Sequence, residues 1–369
     1  MNILQLGKFY PIRGGVEKVM YDLMLGLSEA GTRCDMLCAS TENYPAGTLS
    51  LNPHAKLIIA PTQIKLAATM LAPAMITILR KIAKEYDIIH IHHPDPMAAL
   101  ALFLSGYKGK VILHWHSDIL KQKNLLKIYK PLQSWLIKRA NLIVGTTPVY
   151  VQESPFLQHV QAKIDYIPIG VLPIKADQEQ VNIIRERYQG KKLIFSLGRL
   201  VEYKGYEYLI RAAQELDNTY HIVIGGKGPL MESLSQLIID LGVQDRVTLL
   251  GFVSDEEVSN YFQAADAFCL SSILKTEAFA IVQIEAMSCA KPIVSAYIPG
   301  SGVTWVNQDQ VSGLVVPNSD PQALAEALKK LFTDISLYDN LAKGSRRRFN
   351  QNFTRASMVD KCLQLYKNI

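Results

Sequence analysis

Short apolar runs rich in Val, Ile and Leu alternate along this chain with stretches whose apolar positions recur every three or four residues, so strands are expected to feed helices almost throughout. Runs at 3–6, 34–37, 88–92, 111–114 and 142–146 read as strands, and 7–15 as a glycine-bearing loop. From Val16 the apolar set Val16, Val19, Met20, Leu23 and Leu27 keeps helical spacing until Gly31 ends it. Helices between successive strands make right-handed crossovers and a parallel sheet. Proline-bearing, irregular sequence at 168–177 interrupts the pattern, which then restarts with strands at 193–197, 221–224, 247–250, 267–270 and 293–295 and a helix at 206–216. Ser254 with Glu257 three residues on predicts a capping box. Asp320-Pro321 predicts a second helix start, with Asp as cap and Pro at the first helical position. The fold class is therefore α/β, with two Rossmann-like doubly wound domains facing across a deep cleft. Their expected spans are 1–172 and 173–352, and a C-terminal helix at 353–369 is able to return to the first domain.

Composition agrees with two substantial cores: 369 residues, 49% apolar and 20% charged, too apolar for a disordered chain. No basic region followed by an apolar stretch opens the sequence, and the uncharged run 66–79 is broken by Pro73 and too short to span a bilayer. Cys34, Cys38, Cys269, Cys289 and Cys362 are odd in number and lack CxxC spacing, which predicts buried free thiols in a reduced, cytoplasmic protein. The net charge of +6 is local. Between 119 and 152 there is no Asp or Glu, while Lys121, Lys123, Lys127, Lys130, Lys138 and Arg139 supply the whole excess.

In open parallel sheets ligands bind beyond the carboxyl ends of the strands, so chemistry is sought in those loops. Gly14-Gly15 precede a helix whose first amides and dipole suit a phosphate. Arg199 and Lys204, with glycines on either side, follow a strand and suit a diphosphate as a planar fork and a mobile point charge. Glu277 and Glu285 are eight residues apart, roughly 12 Å if helical, which is too far to share a proton but fits the two ends of a nucleotide-sugar. His114 and His116, with His90, His92 and His93 on the preceding strand, admit a metal reading because alternate strand residues point one way. No carboxylate stands at a third-ligand spacing and no Asp-x-Asp occurs, so no metal is expected and phosphate charge falls to side chains and backbone dipoles.

These residues together resemble a retaining glycosyltransferase of family 4 with the two-Rossmann-domain GT-B architecture. The resemblance runs end to end and rests on Gly14-Gly15-Val16-Glu17, His116-Ser117-Asp118, Gly198-Arg199 with Lys204-Gly205, Gly228-Pro229-Leu230, Gly251-Phe252-Val253, and Glu277 with Glu285. It implies that Arg199 and Lys204 bind the donor diphosphate and neutralise the leaving group. It also implies that Glu285 holds the ribose and Glu277 the sugar hydroxyls, assisted by amides near Ile281 and Val282. Gly14 and Gly15 would close over the phosphates, His116 would contact the transferred sugar, and Val253 would lie near the base. The implied catalytic set is Glu277, His116, Arg199 and Lys204. Lys227 stands where the family often has an acidic residue, and Ala278 and Ala280 where Gly or Pro is common. The implied reaction is metal-independent hexosyl transfer, with retention, from a UDP- or GDP-sugar to a glycan or lipid-linked glycan in bacterial surface polysaccharide or lipopolysaccharide assembly. Alternatives on the same fold are a nucleotide-sugar epimerase or hydrolase, which consumes donor without acceptor, and a sensor that binds donor without turnover.

Residues 119–139 mix their basic side chains with Leu125, Leu126, Ile128, Leu132, Trp135, Leu136 and Ile137. An interfacial patch drawn to anionic lipid is expected, making the protein peripheral on the inner face of the cytoplasmic membrane. Nucleic acid is not an expected partner, because the charge is confined to one segment without a reading motif.

Overall fold

The computed structural model describes residues 1–41, 44–66, 69–119 and 123–369, without the side chains of 66, 69 and 123–125. The chain divides into two compact units, 1–170 with 355–369, and 171–354.

The first unit is built from β1 (Asn2–Tyr10), α1 (Gly15–Glu29), β2 (Arg33–Ser40), β3 (Gly47–Asn52), β4 (Ala55–Ala60), the small hairpin β5 (Ile64–Leu66) and β6 (Thr69–Leu71), α2 (Ala74–Ile82), β7 (Ile88–His93), α3 (Pro96–Ser105), β8 (Lys110–Trp115), α4 (Lys123–Arg139), β9 (Leu142–Gly145), α5 (Pro148–Gln152) and β10 (Ile164–Tyr166). Its sheet runs β10-β9-β8-β7-β1-β2-β4-β3, parallel except for β3, which pairs antiparallel with β4 at the edge. The order reverses between β1 and β7, which is where a doubly wound sheet opens a crevice.

The second unit follows with α6 (Gln178–Arg187), β11 (Lys192–Leu197), α7 (Tyr206–Ala212), β12 (Tyr220–Gly225), α8 (Met231–Asp240), β13 (Val247–Gly251), α9 (Asp255–Ala264), β14 (Ala267–Leu270), α10 (Ile281–Ser288), β15 (Ile293–Ala296), α11 (Val303–Val306), β16 (Gly313–Val316), α12 (Pro321–Thr333) and α13 (Ile335–Arg348). Its all-parallel order, β13-β12-β11-β14-β15-β16, is the 3-2-1-4-5-6 winding of a Rossmann domain, with the switch between β11 and β14. Ser254 and Glu257 form both halves of the expected capping box, and Asp320 accepts from Ala323 N–H ahead of Pro321.

The last helix, α14 (Arg355–Lys367), belongs with the first unit and packs on α1. The close crossing depends on Gly26: a Cβ there would lie 2.5 Å from Val359 Cγ2. Arg355 adds an ion pair with Glu29.

Several expected boundaries shift. The loop expected at 7–15 starts later, because β1 continues to Tyr10 through an irregularity in its pairing with β2 between Leu6 and Phe9. Gly7 (φ 130°) and Lys8 (φ 59°) absorb it in the left-handed half of backbone space. The helix at 206–216 is α-helical only to Ala212 and tightens into a 3-10 turn at Ala213–Glu215. The strand at 142–146 stops at Gly145. Strands β3 to β6, β10 and β16 went unpredicted. β3 is an edge strand and almost wholly exposed, so its short Thr-Leu-Ser-Leu-Asn alternation marks no buried face. All five cysteines are free and buried, and burial pushes the Cys269 and Cys362 thiols up to about 12. Among the described residues no helix is long and apolar enough to cross a membrane.

Candidate active site

In the second unit the expected residues gather at the carboxyl ends of β11 and β14, the switch point of its sheet. The turn after β11 is possible because Gly198 (φ 155°) and Gly226 (φ 136°) touch backbone to backbone: a Cβ on Gly226 would lie 1.9 Å from Gly198 O. Gly198 N–H donates to Gly225 O and Leu200 N–H to Lys227 O, so the two glycine-bearing loops lock together. Arg199 stands exposed on this turn, with no ion pair among the described residues. Lys204, five residues on, is buried instead, and its ammonium reaches Glu277 Oε2 at 2.5 Å. Ser272 Oγ donates to the same carboxylate oxygen at 2.8 Å, Ser271 Oγ donates to Lys204 O, and Ser301 Oγ holds Glu277 O. A lysine–carboxylate pair this enclosed is fixed in geometry, because either partner alone would be a buried, uncompensated charge.

Four residues after Glu277 the helix α10 begins. The Glu277–Glu285 element is therefore half loop and half helix, and the fully helical spacing does not apply. Ile281 and Val282 are its first two residues, so their N–H groups have no acceptor within the helix. Glu285, half-buried, sits one turn beyond Ile281 on the same helix face. Ala280 caps the helix at φ 62°, ψ 79°, a conformation in which an alanine is strained. Val253 lies two strands away, after β13, half-buried beside β12. Its neighbour Phe252 is exposed, with Lys227 Nζ 5.2 Å from the ring centre.

In the first unit Gly14 caps α1 with extended backbone, and Gly14 and Gly15 are both exposed. A Cβ at Gly14 would lie 2.6 Å from Glu17 Oε2, so a side chain there would displace that carboxylate. Glu17 is buried. Burial raises the pKa of its carboxyl, with Lys8 and the nearby backbone N–H groups of Glu17 and Gly14 pulling the other way. Lys8 and Asp95, neither singled out from the sequence, join Glu17 around a cavity of about 200 Å³. Asp95 ties that corner together by capping α3 and accepting from Lys8 N–H.

His116 follows β8 and is only 4% exposed. Its ring stacks on His114 with centres 4.0 Å apart, and its Nε2 is 2.8 Å from His92 Nδ1. Asp118 takes hydrogen bonds from Trp115 Nε1 and Ser154 Oγ, so the acid of the His116-Ser117-Asp118 motif builds the turn that carries the histidine. His90, His92 and His114 bring one nitrogen each within 4.8 Å of the others. Both His92 nitrogens, however, are already hydrogen-bonded, Nδ1 with His116 and Nε2 with Gln5, so His92 has no lone pair to spare. A zinc held at about 2.0–2.1 Å by imidazoles needs converging lone pairs.

Comparison with known proteins agrees on one family. The profile of the glycosyl transferases group 1 matches residues 177–348, and that of glycosyltransferase family 4 matches 13–173. The O-antigen chain mannosyltransferase C of Escherichia coli is 31% identical over 100% of this chain and 99% of its own length. The chain belongs to the group 1, family 4 glycosyltransferases. D-rhamnosyltransferase WbpZ of Pseudomonas aeruginosa is 30% identical over 96% of this chain and 92% of its own. Two solved GT-B structures share the fold at 19% identity. Sucrose-phosphate synthase of Thermosynechococcus elongatus has a TM-score of 0.81, covering 100% of this chain and 99% of that one. Anabaena HepE in complex with UDP has 0.79, covering both fully. Within this family member, Arg199, Lys204, Glu277, Ile281, Val282 and Glu285 come together at one switch point, Val253 stands two strands off, and Gly14, Gly15 and His116 belong to the first unit. Ser272, Ser271 and Ser301, which fix the buried pair, were missed from the sequence; their only signal was a Ser-Ser doublet at a strand end.

Of the basic segment, residues 120–122, Lys121 among them, lie outside the described residues, as do the side chains of 123–125. The rest of α4 buries Tyr129, Gln133, Leu136 and Ile137 against its own unit and exposes Lys127, Lys130 and Lys138. Arg139 is turned inward, donating to the carbonyls of Tyr107 and Gly109.

Proposed function

We propose that this chain transfers a hexose from a UDP- or GDP-linked donor to a glycan or lipid-linked glycan in the assembly of a bacterial surface polysaccharide, with retention and without a divalent ion. The observation that carries the reading is the enclosed Lys204–Glu277 pair at the β11/β14 switch, with Glu277 four residues ahead of the first amides of α10. Breaking a glycosyl–phosphate bond leaves negative charge on the β-phosphate and builds positive charge on the sugar. Lysine has three donors; Glu277 takes one, and the others are available to phosphate oxygens. Arg199 adds a planar fork, and the Ile281 and Val282 amides add the positive end of a helix. Such preplaced donors act at the moment charge develops and need no reorganisation. Both hydrogen bonds to Glu277 fall on Oε2, which leaves Oε1 for a sugar hydroxyl. Glu285 then takes the ribose, Val253 the neighbourhood of the base, His116 the transferred sugar, and Gly14-Gly15 the phosphates.

The two full-length relatives favour a manno-configured hexose, one being named a mannosyltransferase and the other a D-rhamnosyltransferase, rhamnose being 6-deoxymannose. The acceptor surface is proposed to lie against anionic lipid through α4 and its neighbour α3.

A thermal-shift screen with UDP, GDP, ADP and dTDP tests the donor half. The cognate nucleotide is expected to stabilise by about 2.7 kcal/mol at a hundredfold over its Kd. Transfer from GDP-mannose or UDP-glucose is then expected to persist in EDTA and to require an acceptor. Loss of transfer in EDTA overturns the metal-free reading, and consumption of donor without acceptor points to a hydrolase or epimerase.

A further inference from the structure

The first unit holds a continuous buried row of polar side chains, of which the proposed function uses only His116. Gln5 pairs laterally with His90, and His92 with His114, on adjacent parallel strands, so these side chains share one face of the sheet. α14 covers that face with Tyr366, whose hydroxyl lies 2.6 Å from His90 Nδ1. Gln5 Nε2 donates to the same hydroxyl (3.3 Å) and to Cys34 Sγ (3.6 Å). With its amide NH2 turned to these two, Gln5 presents Oε1 to His92 Nε2 at 2.7 Å. An amide oxygen only accepts, so His92 carries its proton on Nε2 and offers Nδ1 as a lone pair. That lone pair is 2.8 Å from His116 Nε2, which must therefore hold the proton of its own ring. Burial keeps His92 and His116 well below the usual imidazole range, so each neutral ring has a single proton to place.

We infer that Gln5 and His92 are positioning residues: they lock His116 as its Nε2–H tautomer, so that Nδ1 accepts a hydrogen bond from a hydroxyl of the transferred sugar. The inference rests on the reading that His116 contacts that sugar. A neutral acceptor suits the place chemically, since an imidazolium would oppose the positive charge that builds on the ring as the leaving group departs. A histidine free to change tautomer would have to reorganise in each cycle, and the amide oxygen of Gln5 removes that freedom through the one intervening ring of His92.

Spectra of the full chain labelled with ¹⁵N-histidine, with the His116 signals identified by their loss in His116→Gln, read the tautomer directly at neutral pH. A proton on Nε2 is expected; a proton on Nδ1, or on both nitrogens, overturns the inference without any variant of the row having to fold. Turnover of GDP-mannose or UDP-glucose, whichever is used, supplies the second readout. Gln5→Leu is expected to lower kcat about tenfold or more, as loss of an outer hydrogen-bond partner does elsewhere, while leaving the Kd for UDP or GDP unchanged. Combined with His116→Ala it should add nothing to the loss from His116→Ala alone. Multiplying losses would show that Gln5 acts elsewhere, and unimpaired turnover in His116→Ala would remove the sugar contact; either overturns the inference. Absence of transfer by the unmodified chain is a different result, and it defeats the functional reading instead.

Discussion

At the scale of single residues, function in the second unit reduces to how charge is held. Lys204 and Glu277 are buried together, whereas Arg199 on the same turn is exposed, so equal-looking cations sit in different environments. Lys204→Ala strands the Glu277 carboxylate as well as removing a proposed phosphate donor, and is expected to lower both thermal stability and turnover. Arg199→Ala removes only a proposed phosphate donor, and should cost roughly 10²-fold in turnover, by analogy with loss of an oxyanion donor, at nearly unchanged stability. Melting curves beside transfer rates check the split; equal melting temperatures for the two variants would count against it. Ala280 gives a second residue-scale expectation. It holds φ 62° at the cap of α10, which costs an alanine about 1–2 kcal/mol that a glycine does not spend. Ala280→Gly should therefore raise stability, by about 1 kcal/mol once the greater freedom of unfolded glycine is subtracted. A denaturant midpoint that moves down would show that the neighbouring loop prefers the strain.

At the scale of elements, α3 and α4 combine into a surface that neither displays alone. α4 leaves Ile128 80% exposed between Lys127 and Lys130, and Trp135 meets the exposed Phe103 of α3 edge to face at 4.9 Å. Leu100 and Leu104 extend the apolar strip along α3. Basic side chains flanking exposed apolar ones are the pattern of interfacial helices, each cation being worth about 1 kcal/mol beside an anionic leaflet. The protein is expected to float with vesicles containing anionic lipid, to be released by salt, and to bind less tightly as Phe103→Ser or Ile128→Ser. Flotation that is equal on neutral vesicles would reject the electrostatic part. Arg139, committed to backbone carbonyls, should be dispensable for binding even though it counts in the segment's charge.

At the scale of the whole molecule, the two units differ in what acid does to them. His90, His92, His93, His114 and His116 are all buried in the first unit, and burial lowers every one of them, His93 and His114 to about 3; the second unit's one histidine is His221. An unfolded histidine titrates near 6.5, so below that pH the unfolded chain binds protons that the folded chain refuses, and stability falls as pH falls. By pH 5 the loss is about 2 kcal/mol for His93 and for His114, and it continues down to their folded values near 3. Acidification is expected to unfold the first unit before the second. Hydrogen exchange along the chain at falling pH measures this, and simultaneous loss of protection in both units would contradict it. His114→Gln, at a site where both ring nitrogens lack partners, should shift the acid midpoint down.

Much of the fold is legible in the order of the amino acids alone. Apolar periodicity specifies most of the parallel strands and most helices of both units because it records which faces must leave water, and helix starts at Ser254 and Asp320 are written in side chains that bond their own neighbourhood. The chemistry-bearing residues are legible as types at strand ends. Three-dimensional packing alone decides how they are engaged. It buries Lys204 against Glu277, sets Gln5 of the first strand against both His92 and Tyr366 of the last helix, and commits Asp118 to holding a turn. A sequence states each residue's hydrogen-bonding and charge capacity. Which partner uses that capacity depends on lateral neighbours brought together across the sheet from distant parts of the chain, and no local pattern encodes them.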